Sequence, residues 1–326
     1  MKRAAPHPGG VWMVVMSALV TLLTLPARGQ AAPAGNDHPD AQGVTEYTGQ
    51  NPFGEGTSTL ADTSAKREFA AKVDLTPLRD LAVFHNGRVK ILDTLARETV
   101  SSITGRSRFF DYLILPAKDG KAETALRVRF DPLFTYLDMI IDPRFYATRP
   151  LVGVEFLPLR EQFLRGIYTS EAEIEWWKRD GRLKPVDIAR VWDEIVSREA
   201  FSAPARKSLD QMRSALELYQ HSYHNLLMKA PDGLEKPWHH LAELPPGPAA
   251  EAVNALGAAW RTGDAAGVNA AAKALAVELP RINAAQYPTT KRTMERLYNS
   301  SNAFEWGFWL YALSLLLLLL AFGTGR

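Results

Sequence analysis

Cysteine is missing from all 326 residues of this chain. Its absence excludes a disulfide framework, a thiolate metal site, a thiol-redox pair and the C-x-x-C-H haem-attachment sequence of a c-type cytochrome. An excess of one charge is missing too, since 38 basic residues face 36 acidic ones, and a formal charge of +2 gives no argument for nucleic-acid binding. The sequence also lacks a nucleophile elbow, a phosphate loop, a zinc-protease helix and a paired-carboxylate signature. It therefore does not predict an enzyme that acts by itself.

The N-terminal region has the features of an export signal. Lys2 and Arg3 precede an apolar run over residues 11–25, and the small-residue stretch ARGQAAPA follows it. This order is typical of a signal peptide, which we place at residues 1–29. An uncleaved N-terminal anchor is the alternative, although the run is short for a membrane span of ~20 residues. Residues 30–70 contain few large apolar side chains and are predicted to be a flexible linker.

The C-terminal region predicts a single transmembrane helix. Residues 304–323 contain six consecutive leucines, and Trp306 and Trp309 stand near the start like an aromatic belt. We expect residues 71–303 to form the extracytoplasmic, periplasmic domain of a protein of the cytoplasmic (inner) membrane, and residues 324–326 to be cytoplasmic. This orientation rests on the export signal, because three basic residues just before the helix oppose the positive-inside rule. They are Lys291, Arg292 and Arg296.

The segment HNGRVKILDTLARET, residues 85–99, is the most informative in the chain. Its Asn86-Gly87 pair separates the apolar runs LAVF and VKIL, which is the strongest short-range signal for a β-hairpin with a type I′ turn. In the second strand, Arg88 and Lys90 point to the side opposite the apolar residues. We expect both of these side chains to face solvent.

A helix is predicted to follow this hairpin directly. Asp93 stands where its side chain can cap the helix, Thr94 comes next, and Gly105 can end the helix in the left-handed conformation. Residues that recur at helical spacing define one face of the helix. They are Leu95, Ala96, Thr99, Val100 and Ile103.

The rest of the domain predicts an α+β fold whose second half is mostly α-helical. Two further strands, FFDYLILP and ALRVRF, flank a polar KDGK turn, and LVGVEF is a candidate strand. Asp131 is predicted to cap a helix that has Pro132 at its first position, and Ser170 with Glu173 forms the pattern of a capping box. Four more helices are expected at residues 186–199, 204–228, 249–261 and 265–278.

The hairpin–helix segment also resembles a known family. Its sequence GRVKILDTLA is similar to the pattern G-R-x-K-P-L-[DH]-T-[LF]-[AS] in the extracytoplasmic region of system II cytochrome c biogenesis proteins of the CcsA/ResC type. Similar segments follow in the same order and extend the resemblance over roughly residues 75–322: FDPLFTYLDMIIDPRFYATRPLVGVEFLPLRE, YTSEAEIEWW, LLMKAPDGLEKPW and YPTTKRTMERLYNSSNAF. The chain departs from the pattern at Ile91, where proline is expected, and it has one predicted span where such proteins usually continue into a multi-spanning haem-handling domain. The residues that carry the motif are Gly87, Arg88, Lys90, Asp93 and Thr94.

This resemblance implies a non-catalytic component of the machinery that delivers haem across the cytoplasmic membrane and joins it to apocytochrome c thiols. The implied partners are a multi-spanning CcsA/ResC-type haem-handling protein, a CcsB/ResB-type protein and apocytochrome c. Haem, the one implied cofactor, is expected to be bound by such a partner. The alternative is a stand-alone membrane-anchored envelope adaptor with no haem role. A third reading, an exported hydrolase, is disfavoured because no catalytic constellation is found.

Two features of the second half bear on whether haem touches this chain. His221 and His224 are the candidate haem ligands, because their i, i+3 spacing on the predicted helix over 204–228 lets two imidazoles approach one group. Both histidines leave the apolar stripe of that helix, so we expect them to be solvated. The pair Trp176-Trp177 lacks the sequence around the tryptophan-rich haem-contact region of such proteins, and we expect it to pack in the core with one indole at the surface.

Overall fold

A computed structural model describes residues 49–115, 124–198, 201–233, 235–300 and 303–323 of the chain. Within these residues, thirteen α-helices and eight short strands confirm the predicted α+β class and its helical majority. The predicted signal peptide, the first part of the predicted linker, the KDGK turn and the predicted cytoplasmic end lie outside the described residues.

The helices are α1 (Thr63–Ala70), α2 (Thr76–Arg79), α3 (Leu92–Thr104), α4 (Pro132–Ile141), α5 (Pro143–Ala147), α6 (Leu157–Ile167), α7 (Glu171–Asp180), α8 (Pro185–Arg198), α9 (Ala203–Gln220), α10 (Pro248–Thr262), α11 (Ala265–Glu278), α12 (Thr289–Ser300) and α13 (Ala303–Gly323). The strands are β1 (Ala82–His85), β2 (Arg88–Ile91), β3 (Phe110–Leu115), β4 (Thr124–Arg129), β5 (Val152–Gly153), β6 (Arg182–Leu183), β7 (Leu227–Lys229) and β8 (His239–His240).

The strands form four separate antiparallel pairs, β1–β2, β3–β4, β5–β6 and β7–β8. The first two pairs confirm the predicted hairpins. In β1–β2, His85 pairs with Arg88, and the two turn residues Asn86 and Gly87 have φ angles of 52° and 73°, the positive values that a type I′ turn requires. LVGVEF contributes only the two residues of β5, and the β7–β8 pair is not predicted by the sequence.

The main hydrophobic core lies among α1, α3, α4, α10 and α11. The predicted apolar face of α3 is buried, and Gly105 ends this helix at a φ of 66°, as predicted. Helix α4 is buried along its whole length, and the Asp131 carboxylate accepts hydrogen bonds from two backbone N–H groups of its first turn, so the predicted cap is confirmed. A second apolar cluster is formed by α6, α7, α8, α9 and the pair β5–β6.

Two of the predicted helix caps are wrong. Helix α3 begins at Leu92, with Ile91 as the N-cap residue, so Asp93 lies in the first turn, where its carboxylate pairs with arginine side chains. Ser170 does precede α7, but its side chain makes no capping hydrogen bond, and the capping box with Glu173 is therefore not formed. Sequence places both helix starts nearly correctly, whereas the polar partner of each side chain depends on the tertiary fold.

The helix predicted over residues 204–228 is too long. Helix α9 ends at Gln220, Ser222–Asn225 forms one tight 3₁₀ turn, and the chain then enters β7. Tyr136 of α4 donates its hydroxyl to the carbonyl oxygen of the first residue of that turn, at 3.0 Å. The apolar pattern continues past the end of α9 because Leu226 and Met228, which are not part of that helix, are also buried in the main core.

The linker predicted over 30–70 is wrong for its second half. Phe53 is buried in the main core, the Asn51 side chain donates a hydrogen bond to the carbonyl oxygen of Ile140 at 2.7 Å, and α1 is a regular helix. The carbonyl oxygen of Phe53 lies so close to Gly257 of α10 that a Cβ there would overlap it. The average composition of the segment does not reveal this packing, because only a few of its side chains make the contacts that hold it against the core.

Candidate functional site

The hairpin β1–β2 is the surface on which α12, the last helix before the predicted span, docks. The backbone N–H of Ile91 donates to Glu295 Oε2 at 3.1 Å. Arg296 pairs with the Asp80 carboxylate at 3.0 Å, and Arg292 donates to the backbone carbonyl of Asp80. We call these three contacts the hairpin dock. Through them, α12 is joined to the hairpin at Ile91 and to Asp80, which lies just before β1.

A tyrosine just before α12 supports the same junction. The Tyr287 hydroxyl oxygen accepts a hydrogen bond from the backbone N–H of Ala82 at 3.0 Å, and the Arg292 guanidinium lies 5.1 Å from the centre of the Tyr287 ring. Burial raises the pKa of the Tyr287 hydroxyl, so this group stays neutral in the physiological range. The tyrosine just before α12 is therefore bound to β1, and the middle of α12 is bound to β2.

The one motif position that departs from the resembled pattern lies in this dock. Proline has no backbone N–H, so a proline at position 91 could not donate to Glu295. Ile91 supplies that N–H, and its side chain is buried. In this chain, the departure from the pattern is thus coupled to a contact between the hairpin and α12.

The two basic residues of β2 have different surroundings. The Arg88 side chain is 68% exposed and lies 3.5 Å from Glu98, as expected of a residue that faces solvent. The Lys90 side chain is only 4% exposed and pairs with Glu98, so the predicted solvent-facing position of Lys90 is wrong. Strand alternation gives the correct side of the strand, but helix α3, which carries Glu98, covers this part of it.

Lys90 also contacts the histidine before the turn. Its ammonium lies 3.2 Å from Nδ1 of His85, and burial together with the Lys90 charge lowers the pKa of the His85 imidazole. The ring is therefore neutral near pH 7, with Nδ1 as the acceptor of a Lys90 proton.

Asp93 and Thr94, the acidic and hydroxyl residues of the motif, lie in the first turn of α3. The Asp93 carboxylate pairs with Arg97 at 2.6 Å and with Arg79, whose guanidinium also pairs with Asp131 at 2.8 Å. Thr94 is half-buried. The carboxylate of Asp93 thus connects the motif, through Arg79, to the residue that caps α4.

Sequence reasoning missed the most deeply buried charges of the domain. Lys66 of α1 pairs with Asp138 at 2.6 Å and with Asp142 at 2.8 Å, and the Lys66 and Asp138 side chains are both 0% exposed. Trp260 Nε1 and the Tyr146 hydroxyl each donate to Asp138 at 2.8 Å. Burial raises the pKa of Asp138, while Lys66 and these two donors lower it. Asp138 and Asp142, two of the three aspartates in the largely apolar stretch DPLFTYLDMIID, are the signal that could have revealed this cluster.

The candidate haem ligands His221 and His224 lie close together after the end of α9. His221 follows the end of α9, and His224 lies in the next 3₁₀ turn. Their ring centres are 4.9 Å apart at an interplanar angle of 31°, which is too close for the two imidazoles to ligate one haem iron from opposite faces. A cavity of about 290 Å³ lined by neighbouring residues, Tyr219 and Tyr223 among them, is not lined by either histidine. The positions of the two rings therefore add no support for haem binding by this pair.

The fully buried histidine of this region is a third one, in β8. His240 Nδ1 accepts a hydrogen bond from the Ala242 N–H at 3.1 Å, so Nε2 carries the proton and donates it to the carbonyl oxygen of Tyr223 at 2.7 Å. Burial lowers the pKa of His240. The neutral ring holds β8 against the turn that follows α9. Among the described residues, no group of three His, Asp or Glu side chains is placed to bind a metal ion.

The tryptophan pair of α7 lies at the edge of the second cluster. Trp177 packs against that cluster, while Trp176 is 42% exposed and its ring centre lies 4.9 Å from that of Tyr112. The expected combination of a packed indole and a surface indole is confirmed.

Helix α13 contains the stretch Trp306–Gly323, which has 18 residues, a mean hydropathy of 1.9 and no part buried. It is the one helix in the described part of the chain that is long and apolar enough to cross a membrane. An association with a membrane is the coarse conclusion that its length and composition support. No protein-family model, curated protein or solved structure matches this chain.

Proposed function

We propose that this chain is a membrane-anchored component of system II cytochrome c assembly. Its domain lies on the outer, periplasmic face of the cytoplasmic membrane, where it positions apocytochrome c or docks onto a haem-handling partner. The signal peptide at residues 1–29 exports the domain, and α13 anchors it.

The observation that carries the proposal is the position of the motif. The helix before the predicted span docks onto the segment that resembles cytochrome c biogenesis proteins at Ile91, and onto Asp80 just before that segment. A domain that presents a substrate to a membrane-embedded partner must be held at a defined place relative to the membrane. The hairpin dock is suited to that task because it fixes α12 to the domain at several points.

Haem handling is assigned in this proposal to a separate multi-spanning protein of the CcsA/ResC type, together with a CcsB/ResB-type protein. The short distance of 4.9 Å between the tilted rings of His221 and His224 argues against ligation of both axial positions of one haem by this pair. The absence of cysteine means that the thiols to which haem is joined come from the apocytochrome.

Deletion of the chain tests the proposal. We expect covalently bound haem in c-type cytochromes to fall while b-type haem proteins keep their haem, because only covalent attachment depends on this route. Peroxidase staining of denatured membrane proteins measures the first quantity, and reduced-minus-oxidised spectra measure the second. Complementation with the intact chain is the control, and it should restore staining.

The alternative is a membrane-anchored envelope adaptor with no haem role. The exposed Trp176 beside Tyr112 favours some protein contact in either case, since tryptophan and tyrosine are enriched in interfaces. Normal staining in the deletion strain, with normal levels of the cytochrome polypeptides, would favour the adaptor. Co-purification with a multi-spanning haem protein would favour the assembly role.

A further inference from the structure

The helix before the span has two unlike faces. Arg292, Glu295 and Arg296 lie on the face that docks onto the hairpin. On the opposite face, Met294 is 65% exposed and Leu297 is 55% exposed. At 100° per residue, Met294 lies about 160° around the helix from Arg296. The domain therefore covers one side of α12 and leaves an apolar side open.

The position of α12 in the chain indicates what covers this open side. Helix α12 ends at Ser300 and α13 begins at Ala303. An extended chain spans at most about 3.6 Å per residue, so these two helix ends are within about 11 Å of each other. The headgroup layer on each side of a bilayer is about 5–8 Å thick, and the end of α12 is therefore at or near that layer when α13 spans the membrane.

We propose that the Met294–Leu297 face of α12 lies in the headgroup layer of the bilayer. Lipid is then what covers this exposed face. This inference rests on the membrane anchoring in the proposed function. It adds that the domain contacts the bilayer through the exposed face of α12. An interfacial helix buries apolar side chains at the acyl boundary and carries basic residues beside the phosphates. Lys291, which is exposed and lies 60° around the helix from Met294, supplies such a charge.

The same arrangement accounts for basic residues that oppose the positive-inside rule. Arg292 donates to the Asp80 carbonyl and Arg296 pairs with the Asp80 carboxylate, so both guanidinium groups face the domain. Lys291 has no ion pair among the described residues and is the one of the three left to meet anionic headgroups. In this arrangement α12 lies between the domain and the membrane. One face of the helix contacts the domain, and the other lies in the headgroup layer.

Site-directed spin labelling tests this proposal, and a chain without cysteine is directly suited to it. Full-length Met294→Cys, Leu318→Cys and Val277→Cys variants are labelled and placed one copy per nanodisc containing phosphatidylglycerol. Leu318 reports the span, and Val277, 51% exposed on α11, is the matched control on the domain surface. Collision with oxygen marks lipid contact, and collision with a water-soluble nickel complex marks contact with water.

We expect the labels at positions 294 and 318 to show several-fold lower nickel accessibility and higher oxygen accessibility than the label at position 277. A label at 294 as open to nickel as the one at 277, with 318 protected, would overturn the lipid contact and leave the anchor standing. Protection at 294 that requires two copies per disc would assign this face to a second copy instead. A water-exposed label at 318 would overturn the membrane anchoring and, with it, this inference.

Discussion

Replacement of Lys66 by methionine should cost the domain a large part of its stability. Methionine keeps the approximate length of the side chain but removes the ammonium that faces Asp138 and Asp142. Breaking a buried ion pair by removal of one partner costs about 3–5 kcal/mol, because the remaining charge stays buried without compensation. For a domain of this size, about 1 kcal/mol shifts Tm by about 2–4 °C, so a decrease of roughly 6–20 °C is expected.

Thermal unfolding of the detergent-solubilised chain, followed by circular dichroism, measures this effect. Arg67→Met is the matched control on the next residue of α1, where an exposed side chain should change stability by less than about 0.5 kcal/mol. The Lys66→Met defect should shrink as the pH falls, because burial raises the pKa of Asp138 and protonation removes the uncompensated charge. Adding Asp142→Asn should recover part of the loss. A Lys66→Met protein within about 1 kcal/mol of wild type would refute the role assigned to the cluster.

Three further outcomes follow from the hairpin and from the buried histidine. Ile91→Pro should loosen α12 without unfolding the domain, seen as faster amide exchange in α12 alone, and unchanged exchange would count against the Glu295 contact. Lys90→Glu should destabilise the domain by more than about 1 kcal/mol, whereas Arg88→Glu should change its stability by less than about 0.5 kcal/mol, as measured by thermal unfolding. Because burial lowers the pKa of His240, the unfolded chain binds more protons below about pH 6.5, so the free energy of unfolding should fall from pH 7 to 5. His240→Asn should reduce that slope, and an equal slope in both proteins would contradict the assignment.

Local signals in the sequence were sufficient to predict the β1–β2 hairpin, the end of α3 and the start of α4. Asn86-Gly87 requires a particular turn, Asp131 before Pro132 marks a helix start, and Gly105 marks a helix end. Each of these signals acts within a few residues, so no knowledge of the tertiary fold was needed.

The contacts that define the candidate site could not be predicted in this way. The Ile91 N–H and Glu295 are 204 positions apart, and Lys66 and Asp138 are 72 apart. Strand alternation placed Lys90 on the correct side but could not tell that a helix covers it. The functional role of the motif residues stays a prediction, and the contact of Ile91 with α12 depends on where the tertiary fold places that helix.

A complementation experiment with the hairpin dock broken tests most directly whether this junction matters for cytochrome c assembly. Asp80→Ala with Glu295→Ala removes two of its polar groups and leaves the buried core intact. The control is Glu278→Ala with Arg281→Ala, which removes an exposed ion pair outside the dock. We expect that, at equal protein levels, the dock variant restores less covalent haem to c-type cytochromes than the control variant does, with b-type haem unchanged. Full restoration of cytochrome c haem by the dock variant would contradict the claim that the hairpin motif works by joining the domain to its membrane helix.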